Sequence, residues 1–430
     1  MKFKVIVKKI RHYLIIAFIH CGLIHRTSAN AFFNTLFSLL RFMSNSLIDV
    51  NMMALPLVWM DQSKSHKKDL LRHSSNGISY GPHYIGRMQS TENIFLPNIH
   101  YYIFKRARIS VTSSSVILND KQAIIDRAIG TDQTKYNFSS GHIIAHSGDT
   151  AVVRLNKAED IKKGIFLGGN GSSNYYHWIV EILAKLEFLS MLPEHYRKYP
   201  LLVSEDVIRI PSFRYTLDLF AKGYETIVTS KELPYVVDEL IYINSPNNLP
   251  FNLFGNQKFK CSYVTINRLS IDYLRKSVLQ DAFKTPALPN YPKKIFLCRK
   301  SVLRNYNQDE VFTILSMFGF TKIFMEDLHF LEQVRTIYHA DFIVGPTGAA
   351  WTNLIFCRSG AKGLCWMADE SADFSAYSTI ASMVGVDLRY LTYKAGVHST
   401  TDLYYKDYYI DPSMIKKGLS AALGETIVRR

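Results

Sequence analysis

From residue 294 onward the chain repeats one local pattern. A short run of β-branched and aromatic residues is followed by a few small or polar ones, then by apolar positions at helical spacing. Residues 294–298, 321–325, 341–345, 362–367 and 388–393 read as strands, with helices over 309–318, 328–339, 350–356 and 376–384 between them. Strands separated by helices return in the same direction, so this part of the chain should build an open parallel sheet of the doubly wound kind. Ligands of such sheets bind at the carboxyl ends of the strands.

Upstream the rhythm is looser. Residues 116–118 and 150–154 are short β-rich runs, and 164–169 reads as a buried strand ending in glycines. A helical pattern over 174–190, a strand over 201–204, a helix over 213–222, a strand over 239–243 and a helix over 263–283 continue the alternation. Residues 61–115 mix polar clusters with short apolar runs and yield no clear element. Pro286, Pro289 and Pro292 make 285–292 the best linker in the chain. The expected organisation is therefore a basic, apolar segment over 1–50, an N-terminal α/β domain over 51–284, a Rossmann-like domain over 285–395 and a tail over 396–430.

Composition narrows the class. With 47% hydrophobic and 20% charged residues among 430, the chain is neither disordered nor multispanning. Its formal charge of +15 points to an anionic partner: nucleic acid, an anionic membrane face or a phosphorylated small molecule. The five cysteines are scattered, with no CxxC and no Cys/His cluster, which fits a reducing cytosol and offers no zinc site. In residues 1–50, Lys2, Lys4, Lys8, Lys9, Arg11, Arg26 and Arg41 face a single acid, Asp49. The apolar run over 13–24 falls short of the roughly 20 residues of a spanning helix. With the second apolar run over 31–43 it reads as a helical pair lying on an anionic membrane face. A secretory signal and a helical cap of the first domain remain the alternatives.

Three segments carry chemistry. In the first, Asn174 or Ser173 can cap a helix whose Trp178, Ile182, Leu186 and Leu189 form one buried stripe, with His177 and Glu181 four apart on a neighbouring face. A histidine oriented by a carboxylate suits a general base, although a packed structural histidine fits the same spacing. In the second, a strand ends at Gly345-Pro346 and a helix begins near Ala349 and Ala350. Backbone N–H groups at such a turn, with Gly348 and the hydroxyls of Thr347 and Thr352, suit a phosphate, and an ordinary βα turn would look the same. The third is basic. Lys293, Lys294, Arg299, Lys300 and Arg304 occur between 285 and 308 without an acid, and Arg299 and Lys300 close a strand where a pyrophosphate could sit. No D-x-D triplet proposes a carboxylate-held metal.

Together, Asn174-Tyr175-Tyr176-His177-Trp178, then Arg299-Lys300 with Arg304, then Gly345-Pro346-Thr347-Gly348-Ala349 with Thr352-Asn353 resemble glycosyltransferase family 61. The order and spacing agree, including Glu326-Asp327-Leu328 and Gln333 upstream of the glycine turn, and the resemblance covers roughly 164–367. It implies an α/β, GT-B-like fold with two Rossmann-type domains facing across a cleft. The first domain would lie on the acceptor side and the second on the nucleotide-sugar side. It also implies sugar transfer without an essential metal or other cofactor, and members that look like this are tied to capsule, exopolysaccharide or lipopolysaccharide assembly. Two positions depart from the pattern. Thr347 stands where many members have His, and Leu364-Cys365-Trp366-Met367 lacks an acid that many carry, for which Glu326 is the candidate substitute.

The expectation is an inverting glycosyltransferase moving a sugar from a nucleotide sugar to a hydroxyl of a surface polysaccharide or lipid-linked glycan. His177 would be the base and Glu181 its partner. Asn174, Arg299, Lys300, Arg304, Glu326, Thr347, Gly348, Ala349, Thr352 and Asn353 would serve the donor. The protein would be cytoplasmic, peripheral on the inner face of the membrane, and nucleic acid is not expected as a partner. The competing readings are a nucleotide-sugar epimerase on the same fold and a non-catalytic basic membrane- or nucleic-acid-binding protein. Tyrosines 404, 405, 408 and 409 in the tail are expected to pack across the interdomain cleft rather than to stack on a sugar.

Overall fold

The computed structural model describes residues 51–63, 66–126, 136–147, 149–254, 257–285, 290–300 and 303–423. The expected membrane-facing segment over 1–50 lies outside them. The early strands are β1 (Met52–Trp59), β2 (Lys67–Arg72), β3 (Ser75–Tyr80), β4 (His83–Tyr84), β5 (Thr91–Leu96), β6 (Ile99–Ile109), β7 (Ser115–Leu118), β8 (Gln122–Ile125), β9 (Ile143–Ser147) and β10 (Thr150–Arg154). They are followed by β11 (Glu159–Leu167), β12 (Leu201–Ser204), β13 (Thr226–Thr229) and β14 (Tyr235–Ile243). The last five are β15 (Lys294–Leu297), β16 (Thr321–Ile323), β17 (Phe342–Pro346), β18 (Lys362–Ala368) and β19 (Asp387–Tyr393).

These strands make a mixed α/β molecule with parallel sheets. The first sheet runs β13-β12-β11-β14-β6-β7-β8-β1-β10-β9, with β2 on β6. Its run β13-β12-β11-β14 is parallel, and helices such as Pro211–Phe220 supply the crossovers. Beyond β14 the pairing turns antiparallel through β6, β7 and β8, and the connection 119–121 between the last two is too short for anything but a hairpin. Within the expected N-terminal α/β domain over 51–284, the parallel strands with helical crossovers lie in 159–243, and the rest is largely antiparallel. The unreadable stretch over 61–115 contains β6, which is buried on parts of both faces and so shows no alternation.

The second sheet, β16-β15-β17-β18-β19-β4, is parallel throughout. Counted from β15 its own strands stand in the order 2-1-3-4-5, and its far edge is closed by β4 from the first half of the chain. The helix Pro412–Leu423 packs Ile415 and Leu419 against Phe296, Leu364 and Trp366 of this sheet. The second lobe therefore draws on residues outside 285–395 at both ends.

One hydrophobic core joins the two lobes. It runs from Ile165, Leu167 and Trp178 through Leu274 to Ile295, Ile343 and Trp351. Polar bonds reinforce it. The Tyr175 hydroxyl donates to Asn353 Oδ1 at 2.7 Å, Ser79 Oγ to the Cys261 carbonyl at 2.7 Å, and Ser378 Oγ to the Tyr80 carbonyl at 2.6 Å.

The segment after β11 departs from the expected α-helix with one buried stripe. A π-helical turn, His177–Ile182, passes into a 3-10 helix, Leu183–Met191, and nearly every side chain is buried. It is wedged between the parallel strands and the helices Pro211–Phe220 and Arg268–Ala282, so apolar residues are needed all round. Even Lys185 is buried, its Nζ donating to the Gly168 carbonyl at 3.2 Å.

Candidate active site

Each parallel run has a point where the strand order reverses: between β11 and β14 in the first sheet, and between β15 and β17 in the second. The loops leaving these strands diverge there and open a crevice at the carboxyl ends. The two crevices face each other across one cavity of about 430 Å3. Asn174, Tyr176, His177, Leu249 and Pro250 line it from the first lobe, and Arg299, Arg304, Glu326, Thr347, Gly348, Ala349 and Tyr377 from the second.

On the first side the chain leaves β11 through a glycine turn. Gly171 has φ +72°, and a Cβ there would stand 2.6 Å from His177 Cδ2, so the turn admits only glycine while the imidazole lies against it. Asn174 Oδ1 accepts from the Tyr176 N–H at 2.9 Å and opens the helical segment. His177 is 4% exposed, with Nδ1 2.6 Å from Glu181 Oε2. Glu181 is itself held: its other oxygen accepts from the Leu249 N–H, and its carbonyl accepts from Ser245 Oγ at 2.8 Å. A carboxylate only accepts, so Nδ1 carries the proton, and in the neutral ring Nε2 is the nitrogen with the lone pair. Such an imidazole can take a proton from a hydroxyl placed in the cavity.

On the second side two guanidinium groups meet at one oxygen. Arg299 Nη2 and Arg304 Nη2 both donate to the Thr347 carbonyl, the latter at 2.8 Å. The Arg299 backbone is fixed by Gln308, whose Oε1 accepts from the Arg299 N–H at 2.8 Å. Arg304 holds φ +57°, and its Nε is buried without a partner. Among the described residues neither arginine has a carboxylate within ion-pair distance. Burial, and next the Arg304 charge, push the Arg299 pKa down from its ordinary value. Two adjacent cations with no anion between them suit an anion with several acceptor oxygens. Gly348 belongs to this arrangement, because a Cβ there would lie 2.9 Å from Arg299 Nη2.

The other expected donor residues divide. Glu326 lines the cavity and accepts from the Lys300 N–H at 3.3 Å. Thr347 presents its carbonyl to the arginines, while its hydroxyl donates to the Trp366 carbonyl at 2.7 Å. Ala349 lines the cavity at the start of the 3-10 helix Ala349–Phe356. Lys300 does not line it: the side chain is exposed and paired with Asp327. Thr352 and Asn353 lie behind the wall, fully buried, and Asn353 holds Tyr175. Among the described residues no group of three or more His, Cys, Asp or Glu stands together as a metal-ligand set.

Tyr377, Tyr393 and Thr400 line the cavity with no signal in the sequence, and Tyr176, which stands in the first motif without a role of its own, and Tyr404 of the tail line it too. The tail tyrosines depart from the expected packing across the cleft: Tyr408 stacks between Tyr393 at 4.1 Å and Tyr306 at 5.3 Å, both of the second lobe, Tyr404 lines the cavity, and Tyr405 and Tyr409 are exposed.

Residues 175–364 match the family model Glycosyltransferase 61. The matched stretch begins two residues before His177 and ends within β18, so it contains His177, Glu181, both arginines and Thr347. The match falls on the motifs described above and supports a glycosyltransferase. No curated protein matches the chain. Among solved structures, the chain is 12% identical to the dodecameric iron-containing heptosyltransferase TibC in complex with ADP-D-beta-D-heptose. That match covers 66% of this chain and 77% of TibC, at a TM-score of 0.23. A likeness that weak leaves the fold to the topology described above.

Proposed function

We propose that the protein is a glycosyltransferase of GT-B-like layout, transferring a sugar from a nucleotide sugar to a glycan hydroxyl in one displacement. The observation that carries this reading is the pair Arg299 and Arg304, uncompensated by any described carboxylate, facing the His177–Glu181 pair across one cavity. The pyrophosphate lies on the two guanidinium groups, where charge builds up as the nucleoside diphosphate departs. Nε2 of His177 takes the proton of the acceptor hydroxyl, and that oxygen attacks the anomeric carbon from the face opposite the leaving group, inverting it. Glu181 holds the ring and balances the charge it acquires.

The acceptor is a surface polysaccharide or a lipid-linked precursor, and the protein works at the inner membrane face through residues 1–50. Among the described residues no helix is long and apolar enough to cross a membrane. The reaction proceeds without a metal, the arginines carrying the electrostatic load. The test is binding and turnover. Thermal shift against nucleoside diphosphates should find a stabilising ligand, by about 2.7 kcal/mol at 100 times its dissociation constant. Turnover of the corresponding sugar nucleotide should then survive excess EDTA. Full loss of turnover restored by manganese or magnesium refutes metal independence, and conversion of the sugar nucleotide without any acceptor would make the protein an epimerase.

A further inference from the structure

Two hydroxyls in the cavity wall have no partner. Tyr176 is 2% exposed and Thr400 6%, and neither Tyr176 Oη nor Thr400 Oγ1 makes a hydrogen bond. They come from opposite sides, Tyr176 from the start of the helical segment after β11 and Thr400 from the loop after β19, and both line the same cavity. Buried polar groups are nearly always satisfied, so an unsatisfied pair converging on one space calls for a ligand that completes it.

Position says which part of the ligand. The Tyr176 ring meets His177 edge-on at 5.5 Å and Tyr377 of the second lobe at 6.0 Å. It therefore stands between the base and the far wall, where the anomeric carbon must lie if His177 is to activate its attacker. Burial, with Glu181 and Tyr377 adding to it, raises the Tyr176 pKa well above the ordinary phenol, so the group stays a donor. Around it, Phe374, Tyr377 and Tyr404 offer apolar ring faces of the kind on which sugar C–H groups pack.

Charge narrows the class. Apart from His177, the cationic side chains lining the cavity among the described residues are Arg299 and Arg304, and the carboxylate is Glu326. With both guanidinium groups on the diphosphate, no cation remains to pair with a carboxylate on the sugar, and burying one unpaired is costly. We propose that Tyr176 and Thr400 hydrogen-bond the transferred sugar, and that this sugar is uncharged. The proposal rests on the glycosyltransferase reading above.

The experiment is calorimetry on the full chain, comparing wild type with Tyr176→Phe and Thr400→Val. The probes are UDP, GDP, ADP and dTDP, each free, conjugated to glucose, galactose or xylose, and conjugated to glucuronate. Both substitutions keep shape and remove only an unpaired hydroxyl, so the melting temperature should hold or rise. Wild type should bind at least one neutral conjugate more tightly than the free diphosphate. Each variant should lose roughly 3- to 10-fold on that conjugate and nothing on the free diphosphate. Variants that bind the conjugate like wild type, or lose the free diphosphate equally, overturn the assignment of the hydroxyls. A wild type that gains from no neutral sugar, or prefers the glucuronate conjugate, overturns the uncharged class. If no free diphosphate binds wild type, the glycosyltransferase reading itself fails and this inference falls with it.

Discussion

A histidine whose Nδ1 sits 2.6 Å from a carboxylate, itself tied to a backbone amide, has lost the freedom to flip its ring. That loss turns an ordinary side chain into one with a defined free nitrogen. His177→Ala should therefore lower turnover per folded molecule by about 10²–10⁴-fold while leaving diphosphate affinity near normal. Melting temperature and turnover measured on one preparation separate this from a packing role, because a variant that melts lower but turns over normally makes His177 structural. Arg299→Ala should do the reverse. It removes a charge-assisted contact of roughly 1.5–3 kcal/mol, and calorimetry should show the diphosphate dissociation constant rising more than tenfold. Lys300 is the internal control. It stands beside Arg299 in the sequence but is exposed and neutralised by Asp327, so Lys300→Ala should leave that constant within a factor of two.

Elements differ in how they respond to acid. The antiparallel part of the first sheet holds His142, fully buried against Ser115 Oγ at 2.7 Å, and His146; burial pulls their pKa values down to about 3 and about 4. The unfolded chain takes up these protons near pH 6.5 and the folded protein does not. Their contribution to stability is thus complete above pH 6.5 and drains away as pH falls toward 4, at about 1.4 kcal/mol per pH unit for each histidine. His142→Gln should flatten that slope by close to one proton, read from chemical unfolding followed between pH 7 and 4. Elements also differ in how far the sequence discloses them. β15 to β19 were legible because a parallel strand between helices is apolar on both faces, and Ile295, Ile343 and Leu364 sit in unbroken runs. β6 was not, because pairing with β14 and β7 and burial on both sides erase its alternation. The i, i+4 spacing of His177 and Glu181 suits an α-helix or a π-turn equally, so only packing reveals which one forms. Arg299 and Arg304 were legible as basic residues at a strand end. Their convergence on Thr347 needs the positive φ of Arg304, which no spacing announces. Tyr176 and Thr400 were hidden because the strand-order reversals that bring them together belong to topology.

The two lobes share one large buried cluster, beside smaller clusters that each lobe keeps to itself. Ile165 and Trp178 of the first lobe belong to the same buried cluster as Ile295 and Trp351 of the second, so heat should unfold both sheets in a single transition. Calorimetry that resolves two peaks would contradict this. Within that core, Tyr175→Phe leaves Asn353 Oδ1 buried without its donor and should lower stability by about 1–3 kcal/mol without splitting the transition. The closing strand of the second sheet adds a consequence for biosynthesis. β4 pairs with β19, and His83 meets Arg389 at 2.8 Å across 306 residues of sequence. At ribosomal speeds of 5–20 residues per second, the stretch around His83 waits roughly 15–60 s for its partner to emerge. During that interval the neighbouring hairpin of β3 and β5, with Phe95 already 60% exposed in the finished fold, has nothing of the second lobe to dock on. Nascent chains of this protein should accordingly depend on a holding chaperone early in translation and release it only after residue 393 has cleared the exit tunnel.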